Sequence, residues 1–435
     1  IPNRLDNAIF DENSFSASGQ YVNINVSADC EDMIWTNVTS GAGINGNSNV
    51  NIYGSLQLDN NMTFNHTGTF YFQSTTTGNT IKTNGVQMRQ TIFRGQNQST
   101  GEWSLLDDFN AHNNYMYFER GTFHSNGHNI DVHSFYNWTG SPANIHFSQS
   151  DTSFVKLQYE FRIYPTTNVN VYADSTDIIF ENNNNHMYFY SGDYDAQYRD
   201  IIFNSFANAG YYIHMQYANK ARDIKVTCSG NQYMYFYDKK EARNVSINYT
   251  NGAPTGQWIQ MNGSNTFNSL NIHGIGNNRP TVYLHGNNSL GDVSFSNLSN
   301  LYFGGLQTMD SFTPLSGSCD RLLNFWGGNG VSMASGTFEV NWAYMYNLTA
   351  SGGATFNANN ILGTSYNLNG WNVNNIPPTN FYWVGGQGNW TDPNNWSYTS
   401  GGTPGVCPLP GRFDNVFFDV NSFSAPNQYV NLNTT

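Results

Sequence analysis

Residues 177–180 read DIIF, and the same four letters return at residues 200–203. Related segments follow at residues 223–226 (DIKV), 244–247 (NVSI), 269–272 (SLNI) and 292–295 (DVSF). Their first apolar residues are spaced by 23, 23, 21, 25 and 23 positions, at Ile178, Ile201, Ile224, Val245, Leu270 and Val293. From Lys225 onward, the residue between the two large apolar positions is polar, which is typical of a strand with one buried face.

A second apolar column runs in step with the first. It comprises the pairs Met187/Phe189, Ile213/Met215, Met234/Phe236, Ile259/Met261, Val282/Leu284 and Leu301/Phe303. Gly- and Asn-rich turns separate the columns, because turns between short strands need left-handed backbone geometry, which Gly and Asn tolerate best. Asn at equivalent positions of successive rungs can also form stacked amide ladders. The spacing predicts an all-β fold, a right-handed parallel β-helix (β-solenoid) of about 23 residues per rung, and leaves two or three sheets per rung open.

The beginning of the chain returns near its end. Residues 4–16 read RLDNAIFDENSFS and residues 412–424 read RFDNVFFDVNSFS; at an offset of 408, residues 1–27 match residues 409–435 at 16 of 27 positions. A repeat of this length predicts tandem modules of 408 residues. We therefore expect a β-solenoid module over residues 1–376 and, over 377–435, a module boundary with a Trp-rich motif and the start of the next repeat.

Composition narrows the class of partner. Charged residues make up only 11% of the chain, and the formal net charge is -13 without a basic stripe, which argues against nucleic acid or an anionic membrane as partner. No run of 18 apolar residues is present, so we expect no membrane span in this segment.

The cysteines suggest a disulfide at the module boundary. At the 408-residue offset, Cys30 corresponds to position 438, 31 residues after Cys407. This predicts that Cys30 and Cys407 are half-cystines paired across the repeat boundary, and hence an oxidising, extracellular compartment. Cys228 and Cys319 lie about four rungs apart, roughly 19 Å at the interstrand spacing, which is too far to bridge, so we expect them to be buried or free.

Four stretches resemble a known family: YWVGGQGNWTDPNNW (residues 382–396), RFDNVFFDVNSFS (412–424), CEDMIWTN (30–37) and NIYGSLQL (51–58). They are similar to repeats of the giant SprB-like surface adhesins of gliding Bacteroidetes, over residues 1 to about 140 and 380–435. The resemblance implies a long extracellular filament on the bacterial cell surface, exported by type IX secretion and carried by the gliding machinery. Its partners would be neighbouring modules, that machinery, and a surface polysaccharide or other substratum. The family offers no catalytic residues to carry over, so we expect no enzyme.

Candidate sites remain near the boundary. Trp383, Trp390 and Trp396 form either a small inter-module core or a sugar-stacking platform. His112, His124, His128 and His133 lack metal-ligand spacing, so we expect no metal site among them and no cofactor; structural calcium at the repeated Asp11 and Asp419 is a further option. Ser175, in Asp174-Ser175-Thr176, fits the O-glycosylation pattern of that phylum.

Two function hypotheses follow. In the first, the chain is a structural and adhesive filament module that attaches to surfaces and serves gliding, with avidity from repetition. In the second, it is a carbohydrate-binding or glycan-depolymerising β-helix. The second hypothesis requires paired acids or a ladder of exposed aromatics, and the outward residues of the first column, Lys225, Ser246, Asn271 and Ser294, supply neither.

Overall fold

The computed structural model describes residues 2–96, 101–139, 141–147, 153–166, 168–182, 185–193, 195–205, 210–217, 219–229, 232–251, 257–276, 279–362, 367–411 and 413–432. Arg412, which opens the second copy of the repeated motif, lies outside these residues. The chain is a parallel β-solenoid of about 14 turns with a spacing of about 23 residues, which confirms the predicted fold class.

The strands are short and follow one another at regular intervals. The first half contains β1 (Ala8–Phe10), β2 (Tyr21–Ile24), β3 (Ala28–Cys30), β4 (Met33–Trp35), β5 (Gly43–Gly46), β6 (Val50–Ile52), β7 (Leu56–Gln57), β8 (Thr63–Phe64), β9 (Phe70–Phe72), β10 (Asn79–Lys82), β11 (Thr91–Arg94), β12 (Glu102–Leu105), β13 (Phe109–His124), β14 (Ile130–Asn137), β15 (Ala143–His146), β16 (Phe154–Ile163), β17 (Val169–Tyr172), β18 (Asp177–Asn182), β19 (Met187–Ser191), β20 (Gln197–Ser205) and β21 (Tyr211–Gln216). The second half continues with β22 (Asn219–Ser229), β23 (Gln232–Phe236), β24 (Lys240–Asn251), β25 (Trp258–Met261), β26 (Thr266–His273), β27 (Thr281–Leu284), β28 (Asn288–Ser296), β29 (Asn300–Phe303), β30 (Gln307–Phe312), β31 (Leu315–Ser316), β32 (Leu323–Gly327), β33 (Gly330–Met333), β34 (Thr337–Tyr346), β35 (Thr349–Gly352), β36 (Thr355–Ile361) and β37 (Asn372–Asn375). The boundary segment holds β38 (Asn380–Trp383), β39 (Gly388–Asn389), a 3-10 turn (Pro393–Asn395), β40 (Trp396–Ser397), β41 (Asn415–Phe417) and β42 (Val430–Asn431).

Each early turn has three strand positions, which answers the question of sheets per rung there. The strands β2, β3 and β4 of one turn pair in parallel with β5, β6 and β7 of the next. Further along, single long strands such as β13 cover more than one position of the same turn. Parallel pairing without a helical crossover is possible because the coil itself returns each strand beside its copy.

The predicted core ladder lies inside the solenoid. Ile178 pairs with Ile201, Ile201 with Ile224, and Ile224 with Val245. These four side chains are buried, as are Leu270 and Val293. The second column is also buried, and Met187 and Phe189 pair with Ile213 and Met215 of the next turn. Within each unit, equivalent positions of successive turns therefore stack their apolar side chains in a buried core.

Asparagine supports the turns in the two ways expected from composition. Left-handed backbone occurs at Asn37, Asn84, Asn126, Asn297, Asn347, Asn360, Asn367 and Asn427, a conformation that Asn tolerates better than most residues. Amide ladders also occur: Asn170 donates to Asn144 at 2.9 Å, and Asn324 donates to Asn300 at 2.9 Å. Each of these bonds joins one turn to its neighbour.

The chain divides into two compact units, Ile1–Pro254 with Met261–Asn268 and Thr255–Gln260 with Ser269–Thr435. The second unit contains the end of the solenoid and the boundary segment. There β37 is the last strand of the large parallel sheet, and β38 begins a separate sheet in which it pairs antiparallel with β40 and parallel with β41. The change of sheet falls between Asn375 and Asn380, beside the predicted boundary at residue 377.

Candidate functional site

An ion-pair ladder follows one corner of the first unit. Asp177 accepts two hydrogen bonds from the Arg199 guanidinium of the next turn, both 2.7 Å. Arg222 binds Asp200 at 2.8 Å, and Arg243 binds Asp223 at 2.9 Å. Each acid is thus paired with an arginine about one turn further along, and the bidentate geometry favours a fixed structural contact.

The surroundings of Asp223 in this ladder favour its ionised form. Burial works against ionisation of Asp223, but hydrogen bonds from Arg243 and Asn244 outweigh it and hold the pKa of this carboxyl below its usual value. A general acid of a glycosidase needs a raised pKa. The ladder therefore suits stabilisation of the turns better than glycan hydrolysis, although it borders a groove of about 580 Å³ lined by Lys220, Arg222 and Arg243.

The sequence itself carries a signal for this ladder. Arg199-Asp200, Arg222-Asp223 and Arg243-Asn244 immediately precede the apolar residues of three successive core segments. In parallel stacking, each arginine then lies beside the Asp of the preceding turn.

An aromatic ladder covers the outward side of the second apolar column in the first unit. Tyr188 pairs with His214 and His214 with Tyr235, and their ring centroids are 5.2 and 4.9 Å apart. Tyr159 contacts Tyr188 at 5.3 Å in the preceding turn. Burial among these rings raises the pKa of Tyr188 and, with the neighbouring His186, lowers that of His214.

The second unit has an aromatic ladder of its own. Tyr283 pairs with Tyr302, Tyr302 with Trp326, and Trp326 with Tyr346. Their ring centroids are separated by 5.9, 5.7 and 6.1 Å. The outward residues named from the first column supply no aromatic ladder, but the second column does: the residues between its apolar pairs are mostly Tyr or His.

Lys240 is a buried cation in the first unit. Its Nζ donates to the backbone carbonyls of Tyr217 and Tyr237, so the charged group closes a corner of the coil. Burial lowers the pKa of Lys240 to about 7. Because both contacts are to main-chain oxygens, the lysine holds two turns together and exposes no reactive amine.

The boundary tryptophans form a small core. Trp383 and Trp396 are buried together with Phe381 and Val406, and half-buried Trp390 packs against them. Trp396 meets Trp383 and Trp390 edge-on, with centroids 5.0 and 4.7 Å apart. The Trp383 indole donates to the Gly386 carbonyl and the Trp396 indole to the Trp390 carbonyl. Buried rings with satisfied indole groups favour the core interpretation over the sugar platform.

A cavity of about 590 Å³ lies beside this core, within the second unit. Its lining includes Trp342, Pro378, Phe381, Tyr398 and Phe413. Its carboxylate is already engaged: Asp414 accepts hydrogen bonds from the N–H groups of Thr379 and Gly411, both at 2.8 Å. The carboxylate that lines the cavity is therefore not free to bind a ligand.

The predicted disulfide partner of Cys407 is wrong. Cys407 is bonded to Cys319, with a Cα–Cα distance of 5.3 Å, so Cys319 is not free either. The pairing arises because the non-periodic Cys407 segment runs back beside the last solenoid turns, where Gly411 lies next to the Tyr344 hydroxyl. Cys30 and Cys228 are free and buried, and burial with nearby Asp32 raises the pKa of Cys30 to about 12.

The remaining candidates lie in turns. Ser175 is half-buried beside buried Thr176 in the turn before β18. Asp11 accepts hydrogen bonds from the N–H of Asn13 and from Ser14, which lower its pKa. Calcium at Asp11 and Asp419 and glycosylation at Ser175 stay predictions.

Comparisons with protein-family models, with curated proteins and with solved structures find no match to this chain. In the described residues, no helix is long and apolar enough to cross a membrane. Any assignment of function therefore rests on the repeat, the ladders and the boundary core.

Proposed function

We propose that the chain is a structural and adhesive repeat module of a long extracellular filament on a bacterial cell surface. In this proposal the filament is exported by type IX secretion, attaches cells to a surface or its polysaccharide, and takes part in gliding. The partners are neighbouring modules of the same chain and the gliding or secretion machinery. The proposal assigns the chain no catalytic step.

The observation that carries this proposal is the structural identity of the two motif copies. In the first, Asp11 N–H donates to Ser14 Oγ at 2.9 Å and Asn13 N–H donates to Asp11 Oδ1 at 3.0 Å. In the second, Asp419 and Asn421 repeat these bonds at 2.9 and 2.8 Å. A unit that re-forms its own beginning 408 residues later has the geometry of a tandem array.

The glutamines of the two copies extend this identity. Gln20 Oε1 accepts from the N–H groups of Ser16 and Ala17 at 2.8 and 3.1 Å. Gln428 accepts from Ser424 and Ala425 at 2.7 and 3.0 Å. The motif is thus an autonomous turn that forms in two different surroundings.

Electron microscopy of appendages sheared from the producing cells tests the proposal. We expect filaments that bind an antibody raised against this chain, with an axial repeat of about 70 Å if each of the turns rises by the interstrand spacing. Deleting the gene should abolish attachment to glass, while deletion of an unrelated surface protein should not. An intracellular protein, or cells that attach equally well without it, would contradict the proposal.

The aromatic ladders favour carbohydrate binding as a second candidate function. Tyrosine and tryptophan side chains combine an apolar ring with a polar edge, which suits recognition surfaces. Under this candidate, Tyr188→Ala should reduce retention of the chain on an immobilised neutral polysaccharide about tenfold, whereas Tyr398→Ala, an exposed tyrosine outside the ladder, should not. Equal retention of both variants would remove the candidate, and release of soluble sugar would instead support depolymerisation.

A further inference from the structure

The two copies of the repeated motif present the same strand to two different neighbours. In the first copy, β1 pairs with β4 of the first solenoid turn. In the second copy, β41, which corresponds to residues 7–9, pairs with β38 of the boundary core. Each copy leaves the other copy's pairing edge without a partner strand among the described residues.

The backbone groups used in the two copies do not compete. In the first copy, the Ala8 N–H donates to the Asp32 carbonyl, and the Phe10 carbonyl accepts from the Thr36 N–H. In the second copy, the Asn415 N–H, equivalent to that of Asn7, donates to the Thr379 carbonyl. Alternate residues of a parallel strand bond to opposite neighbours, so one strand can make both sets of bonds at once.

The second strand of the motif shows the same alternation. In the first copy, the Gln20 and Ile24 carbonyls accept from Gly43 and Ser48 of the next turn. In the second copy, the carbonyls of Tyr429 and Asn431, equivalent to Tyr21 and Asn23, accept from Gly388 and Trp390. In the numbering of the first copy, backbone groups at even-numbered positions thus bond to the solenoid. The backbone groups that bond to the boundary core in the second copy are equivalent to odd-numbered positions.

The registers also agree. Tyr382 pairs with Phe417, whose equivalent Ile9 pairs with Ile34. On the second strand, Gly388 pairs with Val430, whose equivalent Val22 pairs with Ile44. Two independent strands therefore connect the boundary core of one module to the first turn of the next without a shift.

The exposed fractions of equivalent side chains show which apolar residues remain uncovered in each copy. Phe15 is 8% exposed against Trp35, whereas its equivalent Phe423 is 38% exposed. Conversely, Phe417 stacks on Tyr382 with ring centroids 4.9 Å apart and is 39% exposed, whereas its equivalent Ile9 is 55% exposed. Each copy leaves apolar surface open on the side that the other copy covers.

We propose that, in tandem modules, the two strands of the motif are shared between neighbouring modules. On one edge they pair with β38 and β39 of the preceding module, and on the other edge they pair with the first turn of the next module. The parallel sheet then continues across the boundary. The partner surface is thus the first turn of the next module, whose equivalent of Trp35 closes over Phe418 and Phe423 as Trp35 covers Phe10 and Phe15 in the first copy. This inference rests on the tandem array of the proposed function and adds how its modules join.

A two-module chain, residues 1–435 followed directly by residues 28–435, tests the joint without any substitution. We compare amide hydrogen exchange in this chain and in the single chain. The Val416 N–H, equivalent to that of Ala8, should become protected at least tenfold in the two-module chain. The Asn415 N–H should be protected in both chains because it already bonds to Thr379. Equal exchange of Val416 in the two chains would overturn the joint.

Thiol labelling provides a second readout in a background with Cys30 and Cys228 replaced by alanine. Phe423→Cys should react at least tenfold more slowly in the two-module chain, because its equivalent Phe15 is buried there. The matched control is Val420→Cys, which is 92% exposed and corresponds to exposed Glu12, and should react equally in both chains. An equal rate at position 423 would refute the joint even if cells carry filaments, whereas protection without filaments would refute only the proposed function.

Discussion

Residues 5–24 and 413–432 match at 13 of 20 positions and form the same turns, yet they differ in what covers them. The first copy packs on the solenoid through Trp35, whose ring lies 4.1 Å from that of Phe10. The second packs on the boundary core, where Phe418 lies 6.2 Å from both Trp383 and Trp396 and remains 47% exposed. The local sequence therefore determines the turns, whereas the element packed against each copy determines how far its aromatic side chains are buried.

The strongest way to break this comparison is to remove one covering tryptophan at a time. Trp35→Ala should destabilise the first turn by about 3–5 kcal/mol because a fully buried ring leaves a cavity. Amide exchange should accelerate at residues 8–10 and stay unchanged at residues 415–417.

Trp396→Ala is the matched variant and should give the reverse pattern with a similar cost. Exchange at residues 415–417 should accelerate while residues 8–10 keep their protection. If either variant accelerated amide exchange equally at residues 8–10 and 415–417, the packing of the two copies would not be independent.

Reduction of the Cys319–Cys407 disulfide should affect only the second copy. The bond closes a long loop, with a sequence separation of 88, and its loss should cost about 2–4 kcal/mol. We expect the double variant Cys319→Ser/Cys407→Ser to unfold its boundary segment at lower temperature in calorimetry. The wild type with reductant should match the variant, and a thermogram unchanged by reductant would contradict the assignment.

A pH series should change stability without changing the difference between the copies. Burial lowers the pKa of Lys240 from its ordinary value of 10.5 to about 7. Between these values the unfolded chain holds the proton that the folded chain has lost, so stability rises with pH by at most about 1.4 kcal/mol per unit. Lys240→Met should lack this part of the slope in urea titrations at pH 7 to 9, and a slope equal to that of the wild type would contradict the lowered pKa.

The smallest expected effect concerns the turns that the copies share. Asp11→Ala and Asp419→Ala each remove a carboxylate that accepts from the backbone two residues on. Each should loosen its turn slightly, because backbone N–H groups lose a side-chain acceptor that water can partly replace. Local exchange at Asn13 and Asn421 should accelerate to the same extent; a clearly unequal effect would show that the surroundings also shape the turn.

Periodicity predicted the parts of the fold that repeat. The spacing of Ile178, Ile201 and Ile224 is enough to place them in one buried column, because a coil brings equivalent positions together. The same rule, applied to Arg199 and Arg222 or to Tyr188 and His214, would have revealed both outward ladders. Those ladders were missed because only the residues between the apolar positions of the first column were compared.

The Cys319–Cys407 bond could not be read from periodicity. Counting rungs gives distances only for residues inside the coil, and Cys407 belongs to a segment that leaves it. Whether such a segment continues along the axis or runs back beside earlier turns depends on the packing of Trp383, Trp396 and Val406, which no repeat spacing encodes. The tryptophans of the boundary predicted either a small core or a sugar-stacking platform, and neither interpretation gives the direction in which the segment runs.

The same disulfide has a mechanical consequence. If the chain is stretched from its two ends, tension passes through the Cys319–Cys407 bond and bypasses the residues between them. At about 3.3–3.6 Å per extended residue, the bond withholds roughly 300 Å of potential lengthening from this chain. Under load, the last turns of the coil therefore act as an inextensible segment beside turns that can still unwind.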